Sequence, residues 1–440
     1  MNKKLFFLLM ALCVRVNAQI PELDPSGLAL RYAREQPPHT WQTLCDMALW
    51  ASGADSTAYG RKTIDAVMKL QAATDLPIDA RGRGEYVLRF MHRNYLRQYS
   101  LNQTRIDVLL DKGTFNCVSS AVFYLILGVS VGLDIQGVMT HDHAFVTVNI
   151  RGDSDIQKID VETTNEYGFD PGTQKQFSDG FGRVTGFAYV DSKNYRDRSA
   201  MSQLELVSLI LTNRISFLQK QKRFGDALPL ITNRVALLSE RIEKTDSPFF
   251  VDSKEDFAAS LHNFVVDLLS KKRLYDAKAI LDKGAPFLPT ENYRVIKGML
   301  LDHELSQLVN GLKTSAEAEM ALTFLNDHEA VAMLGEERVF QMRNVVLVNE
   351  AGFISREKGW LAAIKFSEEA IAAYGGNKLL EQNLQTFRNN RGVEIHNQFV
   401  SFWNEGLYTE ARDLLEAGLK ELPNNARLLN DWNVINRQVR

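Results

Sequence analysis

The sequence predicts an α+β domain followed by an all-α array of helical hairpins. Three observations carry that prediction. Apolar residues recur at helical spacing through most of residues 19–110 and again across 114–131. Beyond Gly132 the period drops to two, in segments rich in Val, Ile and Thr. From about residue 201 the strand pattern vanishes, and helical periodicity runs on almost unbroken and repeats itself. The expected divisions are a leader at 1–18, the α+β domain at 19–200 and the helical repeats at 201–440. In a chain of 440 residues, both domains are long enough to bury a core of their own.

In the leader, Lys3 and Lys4 precede an apolar block from Leu5 to Val14, and "VNA" ends in a small residue before Gln19. This is the three-part pattern of a secretory signal peptide. It predicts an exported protein, periplasmic or extracellular, with no membrane span after cleavage. The alternative is an uncleaved anchor, for which the apolar block is short. Cys13 raises a lipid anchor, but bulky Leu12 precedes it where such signals want a small residue. Loss of the leader leaves Cys45 and Cys117, too few for a disulfide-stapled small domain. Two free thiols are expected, one buried and one functional, with a single Cys45–Cys117 bridge as the alternative.

In the first domain, "PSGLALRYAREQ", "HTWQTLCDMALWAS" and "GRGEYVLRFMHRNYLRQY" carry apolar residues at helical spacing, separated by Pro and Gly. Residues 114–131 form the next helix, apolar nearly all round and therefore central. "DIQGVMT", "HAFVTVNI" and "QKIDVETT" alternate and predict strands, the last two joined through "RGDSD". A Gly-rich, aromatic loop follows from Asn165, with one more short strand near its end.

The later helices repeat around Ala227, Ala277, Ala321, Ile364 and Ala411, spaced 43 to 50 residues apart. Each anchor falls in the first turns of the second helix of a pair. Pro289, Gly376 and Pro423 follow three of them at twelve residues. A small anchor residue, present in four of the five, lets two helices approach closely. The segment "NEGLYTEARDLLEAGLKELPNN" resembles a tetratricopeptide repeat, with Gly406, Tyr408, Ala411 and Pro423 where that pattern has them. The other four are degenerate, and the period exceeds the usual ~34 residues. The resemblance implies a stacked array whose concave surface holds a peptide or protein. The plainer alternative is an irregular helical bundle.

The chemistry-bearing residues lie in the first domain. Asn116 is a good N-cap, which makes Cys117 the first residue of the central helix. Free N–H groups and the positive end of the helix dipole then stand beside its sulfur and favour the thiolate. Of eight histidines, two follow closely in "THDHAFVTV". His143 opens a strand as the candidate base, and His141 is the runner-up. "KIDVETT" supplies Asp160 and Glu162, whose spacing of two places both on one strand face. Either can orient the imidazole and stabilise its charged form.

The order "FNCVSS", "HAFVTV", "VETT" resembles the transglutaminase-like superfamily, relatives of papain-type cysteine peptidases, over roughly residues 85–170. The resemblance implies an α+β fold with a central helix and an antiparallel sheet. It also implies Cys117 as nucleophile and His143 as base. Aligning "VETT" on the family motif places Glu162 as the acid; requiring an aspartate places Asp160. Phe115 departs from the glycine the family keeps two before the cysteine, which implies a wider turn or a narrower cleft. An oxyanion donor is expected from the Cys117 N–H plus a side chain upstream, with Gln103 and Tyr99 as candidates.

The expected activity is that of a cysteine-dependent amide hydrolase or acyl transferase acting on peptide or side-chain amides. The helical repeats would bind a protein partner. The alternative is a catalytically inactive relative that serves as a protein–protein interaction scaffold. No cofactor and no metal are expected: "HDH" lacks a third ligand at a telling spacing, and there is no phosphate loop. "RGD" at 151–153 is turn chemistry. A net charge of −3 gives no electrostatic footprint for nucleic acid.

Overall fold

The computed structural model describes residues 20–141, 143–152, 155–171, 177, 182, 185, 197–239 and 247–438. The leader and the short strand expected before residue 197 lie largely outside these residues, as do Asp142 and Asp153. Among the described residues the protein is mostly helical, with a small antiparallel sheet. Two compact units divide at Thr290.

The first unit opens with α1 (Gly27–Arg34), α2 (Trp41–Ser52), α3 (Ser56–Gln71) and α4 (Ala80–Asn94). Each begins where a side chain of Ser26, Thr40, Asp55 or Asp79 accepts from an otherwise orphaned N–H. Two-residue strands β1 (Gln98–Tyr99) and β2 (Thr114–Phe115) pair in parallel across α5 (Ile106–Lys112).

Helix α6 (Cys117–Ser130) is buried continuously from Cys117 to Gly128. Its apolar residues point in every direction, so it is stable only when enclosed. Helices α2, α3 and α4 and the sheet enclose it. Gly128 permits the sheet to come close, since an added Cβ would sit 2.3 Å from Ile135 Cδ1.

The sheet contains β3 (Asp134–Met139), β4 (Ala144–Arg151), β5 (Ile156–Val161) and β6 (Ser199–Met201), in the order β5-β4-β3-β6. All neighbours are antiparallel. The first three answer the three alternating segments; the sequence pattern gave no sign of β6. Next come α7 (Gln203–Lys220), α8 (Phe224–Ser239), α9 (Pro248–Ser270) and α10 (Leu274–Gly284). Helix α7 packs on β3, α2 and α6, and residues 204–211 are all buried. The change of sequence pattern near residue 201 therefore falls inside the first unit.

The second unit runs from α11 (Thr290–Asn310) through α12 (Ser315–Leu325), α13 (His328–Leu334), α14 (Glu336–Lys358) and α15 (Trp360–Tyr374). It ends with α16 (Lys378–Asn404), α17 (Tyr408–Glu421) and α18 (Ala426–Gln438). From α14 onward, each helix packs on the next. Across both units the repeat anchors Ala227, Ala277, Ala321, Ile364 and Ala411 are at most 4 % exposed. Gly376 and Pro423 stand two residues beyond the ends of α15 and α17, where a helix stops readily. Among the described residues, no helix is long and apolar enough to cross a membrane.

Candidate active site

The start of α6 is fixed by a reciprocal cap. Asn116 Oδ1 accepts from the Ser119 N–H at 3.0 Å, and Ser119 Oγ accepts from the Asn116 N–H at 2.9 Å. Such a cap contributes about 1 kcal/mol and sets the direction in which the chain enters the helix. Asn116 Nδ2 also donates to the Leu101 carbonyl at 3.1 Å, and Ser119 Oγ lies 3.2 Å from the Gln103 carbonyl. The loop after β1 is thus tied to the turn that presents Cys117.

Cys117 is the first residue of the helix and is 9 % exposed. Its thiol hydrogen-bonds the His143 imidazole. His143 Nε2 stands 2.5 Å from Glu162 Oε2. With Nε2 given to the carboxylate, Nδ1 is the nitrogen left for sulfur. Glu162 Oε1 is held by the Thr164 backbone N–H at 3.2 Å and by the Thr164 hydroxyl at 2.7 Å. Both carboxylate oxygens of a residue only 4 % exposed are therefore satisfied.

Burial opposes a charge on His143. The Glu162 carboxylate, the thiol and the hydrogen bonds to both outweigh it and hold the imidazole well above its ordinary value. The arrangement favours an imidazolium between a carboxylate and a sulfur.

The register of β4 and β5 decides between the two acids. Val146 pairs with Val161 and Thr147 with Asp160, so Asp160 lies further along the strand than His143 can reach. Its carboxylate is instead bound by Arg198 through two nitrogens at 2.6 Å each and by Thr147 Oγ1 at 2.8 Å. Arg198 also lies over the Phe145 ring. Glu162 sits one residue past the ladder, where the chain turns: its N–H donates to the Gly168 carbonyl at 2.7 Å. Gly168 is required there, because an added Cβ would lie 1.9 Å from the Glu162 carbonyl oxygen. The alternative acid Asp160 is thus placed in a different contact, and the turn brings Glu162 diagonally to His143.

The Phe115 ring is 3 % exposed and meets His92 and Tyr99 edge-on, with centroids 6.1 and 5.9 Å away. The ring at position 115 is thus packed away against His92 and Tyr99, two residues before Cys117. Gln103 is spent on structure: its Nε2 donates to the Arg105 and Thr114 carbonyls, and its Oε1 accepts from the Arg105 N–H. Tyr99 is half-buried. Burial, then Cys117 and Glu162, push its phenol above the ordinary value, so it stays a hydrogen-bond donor. His141 is exposed and stands outside this set.

Both thiols are free and buried. Cys45, inside α2, is pushed up to about 11 by its burial. Among the described residues, no group of three or more His, Cys, Asp or Glu side chains is arranged to hold a metal ion.

Two residues next to these side chains had no sequence signal of their own: His92, whose ring meets Phe115, and Thr164, whose N–H and hydroxyl hold Glu162. Thr163 and Thr164 are the "TT" of "VETT", which marks the strand end but not what the hydroxyls bind. Comparison with protein-family models, with curated proteins and with solved structures found no match.

Proposed function

We propose that the protein is an exported thiol enzyme of transglutaminase-like type that attacks peptide or side-chain amides. One observation carries this reading: Cys117, His143 and Glu162 converge at a capped helix start, with the thiol and the carboxylate on one imidazole. Cys117 Sγ adds to the amide carbon and forms the S–C bond, while His143 holds the thiol proton. The carbonyl oxygen gains negative charge, and the candidate hydrogen-bond donors to it are the Cys117 N–H and the Tyr99 hydroxyl. His143 then gives its proton to the leaving nitrogen as the C–N bond breaks. Water or an amine resolves the resulting thioester, with His143 taking the incoming proton. Glu162 keeps the imidazole oriented and supports its charge. The helical hairpins, read as tetratricopeptide-like, hold the substrate or a protein partner.

A second reading is an interaction scaffold that has lost its chemistry. The observation in its favour is that Cys117 is only 9 % exposed.

Labelling with iodoacetamide, followed by mass mapping of both thiols, separates the two. Cys117 is expected to react at least about tenfold faster than the same thiol in the denatured chain. Cys45 serves as the internal unreactive control. Equal rates for native and denatured Cys117, or a Cys45–Cys117 disulfide, overturn the enzymatic reading.

A further inference from the structure

His92 has no part in the chemistry above, yet it touches both halves of the site. It lies in the last turn of α4. Its Nε2 stands 3.1 Å from the Thr163 carbonyl oxygen. A carbonyl only accepts, so this nitrogen carries the hydrogen. The same ring meets Phe115 edge-on at 87°, two residues before the nucleophile.

Thr163 directly follows Glu162 and is gripped a second time. Its hydroxyl is 2.8 Å from Ser120 Oγ, and Ser120 Oγ donates to the Cys117 carbonyl at 3.2 Å. Ser120 has one hydrogen and uses it on that carbonyl, so the Thr163 hydroxyl is the donor of the pair. Ser120 and Thr163 are fully buried. Helix α4 therefore holds the Thr163 main chain through His92, and α6 holds its side chain through Ser120. Glu162 lies directly before this doubly held residue, and Thr164, whose N–H and hydroxyl hold the Glu162 carboxylate, lies directly after it.

From this geometry we propose that His92 is a positioning residue, whose Nε2–H bond to Thr163 keeps the Glu162 carboxylate on His143. Burial keeps His92 below its ordinary value despite the nearby Glu166 and Glu162 carboxylates, so the neutral ring with one hydrogen is the form that fits. The consequence for reactivity rests on the thiol-enzyme reading; the effect on His143 does not.

Two substitutions test the atom rather than the ring. Glutamine carries an amide N–H near the place of Nε2, whereas asparagine carries one near Nδ1. In His92→Asn, the His143 titration followed by imidazole NMR is expected to move down by about one unit toward its ordinary value. Cys117 alkylation near pH 7 is expected to slow by about tenfold. His92→Gln is expected to retain both within about threefold. The thermal midpoints of the two variants are compared to confirm a common fold.

Identical behaviour of the two variants, whether both match the wild type or both lose equally, overturns the proposal. Should His92→Asn fail to fold, the wild-type tautomer decides: imidazole nitrogen shifts of an Nε2–H ring support the role, and those of an Nδ1–H ring refute it. An unreactive wild-type Cys117 with a His143 titration that still drops in His92→Asn would sink the enzyme reading and uphold the positioning role.

Discussion

Two imidazole–carboxylate pairs of nearly equal length lie in the two units, and only one of them has a thiol beside it. His143 meets Glu162 at 2.5 Å in the first unit; His396 meets Asp431 at 2.6 Å in the second, joining α16 to α18. The acids are equally hidden, with side chains 5 % and 6 % exposed. His396 is the more open, at 28 % against 11 % for His143. A short contact from a histidine to a buried acid is thus a general way to satisfy the acid. What sets the first pair apart is its third member. Cys117 arrives at a helix start, where free N–H groups favour an anion. The second unit contains no cysteine at all.

The sharpest way to break this comparison is to remove each histidine. His143→Ala is expected to lower Cys117 alkylation at neutral pH about 30-fold, toward the rate of an ordinary thiol. His396→Ala is expected to leave that rate unchanged. Equal losses in the two variants would erase the distinction between the pairs.

A smaller effect separates the two acids of the first unit. Glu162→Gln is expected to slow alkylation about tenfold, as the imidazolium loses one carboxylate. Asp160→Asn is expected to stay within about twofold, because its loss falls on the Arg198 contact. Reversal of this order would show that Asp160 is the working acid.

The smallest effects are in stability, and they fall in different pH windows. His143 is held above its ordinary value of 6.5. Its contribution is therefore full below that pH and is lost as pH rises through the folded-state value. In the second unit, burial raises Glu350 above its ordinary 4.5, although Ser315 bonds one oxygen. The other oxygen, Oε2, has no partner among the described residues. Its contribution is full below 4.5 and is lost as pH rises through its own raised value. Glu350→Gln should flatten the fall of the thermal midpoint just above that acid range. His143→Ala should flatten only the fall that begins above 6.5. A Glu350→Gln curve parallel to the wild type would show that this acid titrates alike in the folded and unfolded states.

Much of the first unit was legible because its signals are local. The cap Asn116, the apolar run after Cys117 and the alternation in "HAFVTV" each act within a few residues. The repeat anchors were legible for the same reason: Ala277 and Ala411 sit at a fixed place in a helix and need only be small. His92 was not legible, because its partner Thr163 lies 71 residues away and "FMHRNY" shows only a helix. Strand β6 was equally hidden, since three residues are too few to show a period. Phe115 was visible as a departure, but its burial between His92 and Tyr99 depends on β1 pairing with β2.

By itself, the sequence determined the central helix with its capped start at Cys117, the strand that begins directly after His143 and the strand whose end carries Asp160 and Glu162. These follow from steric preference and hydrophobic period, which neighbouring residues set among themselves. Tertiary structure alone decided which acid reaches the imidazole. The ladder puts Asp160 opposite Thr147, and Arg198, 38 residues away, then holds its charge. The turn closed by Gly168 leaves Glu162 free to reach back. The physical reason is that a buried carboxylate is held by whatever donors packing brings to it, and those donors come from distant parts of the chain.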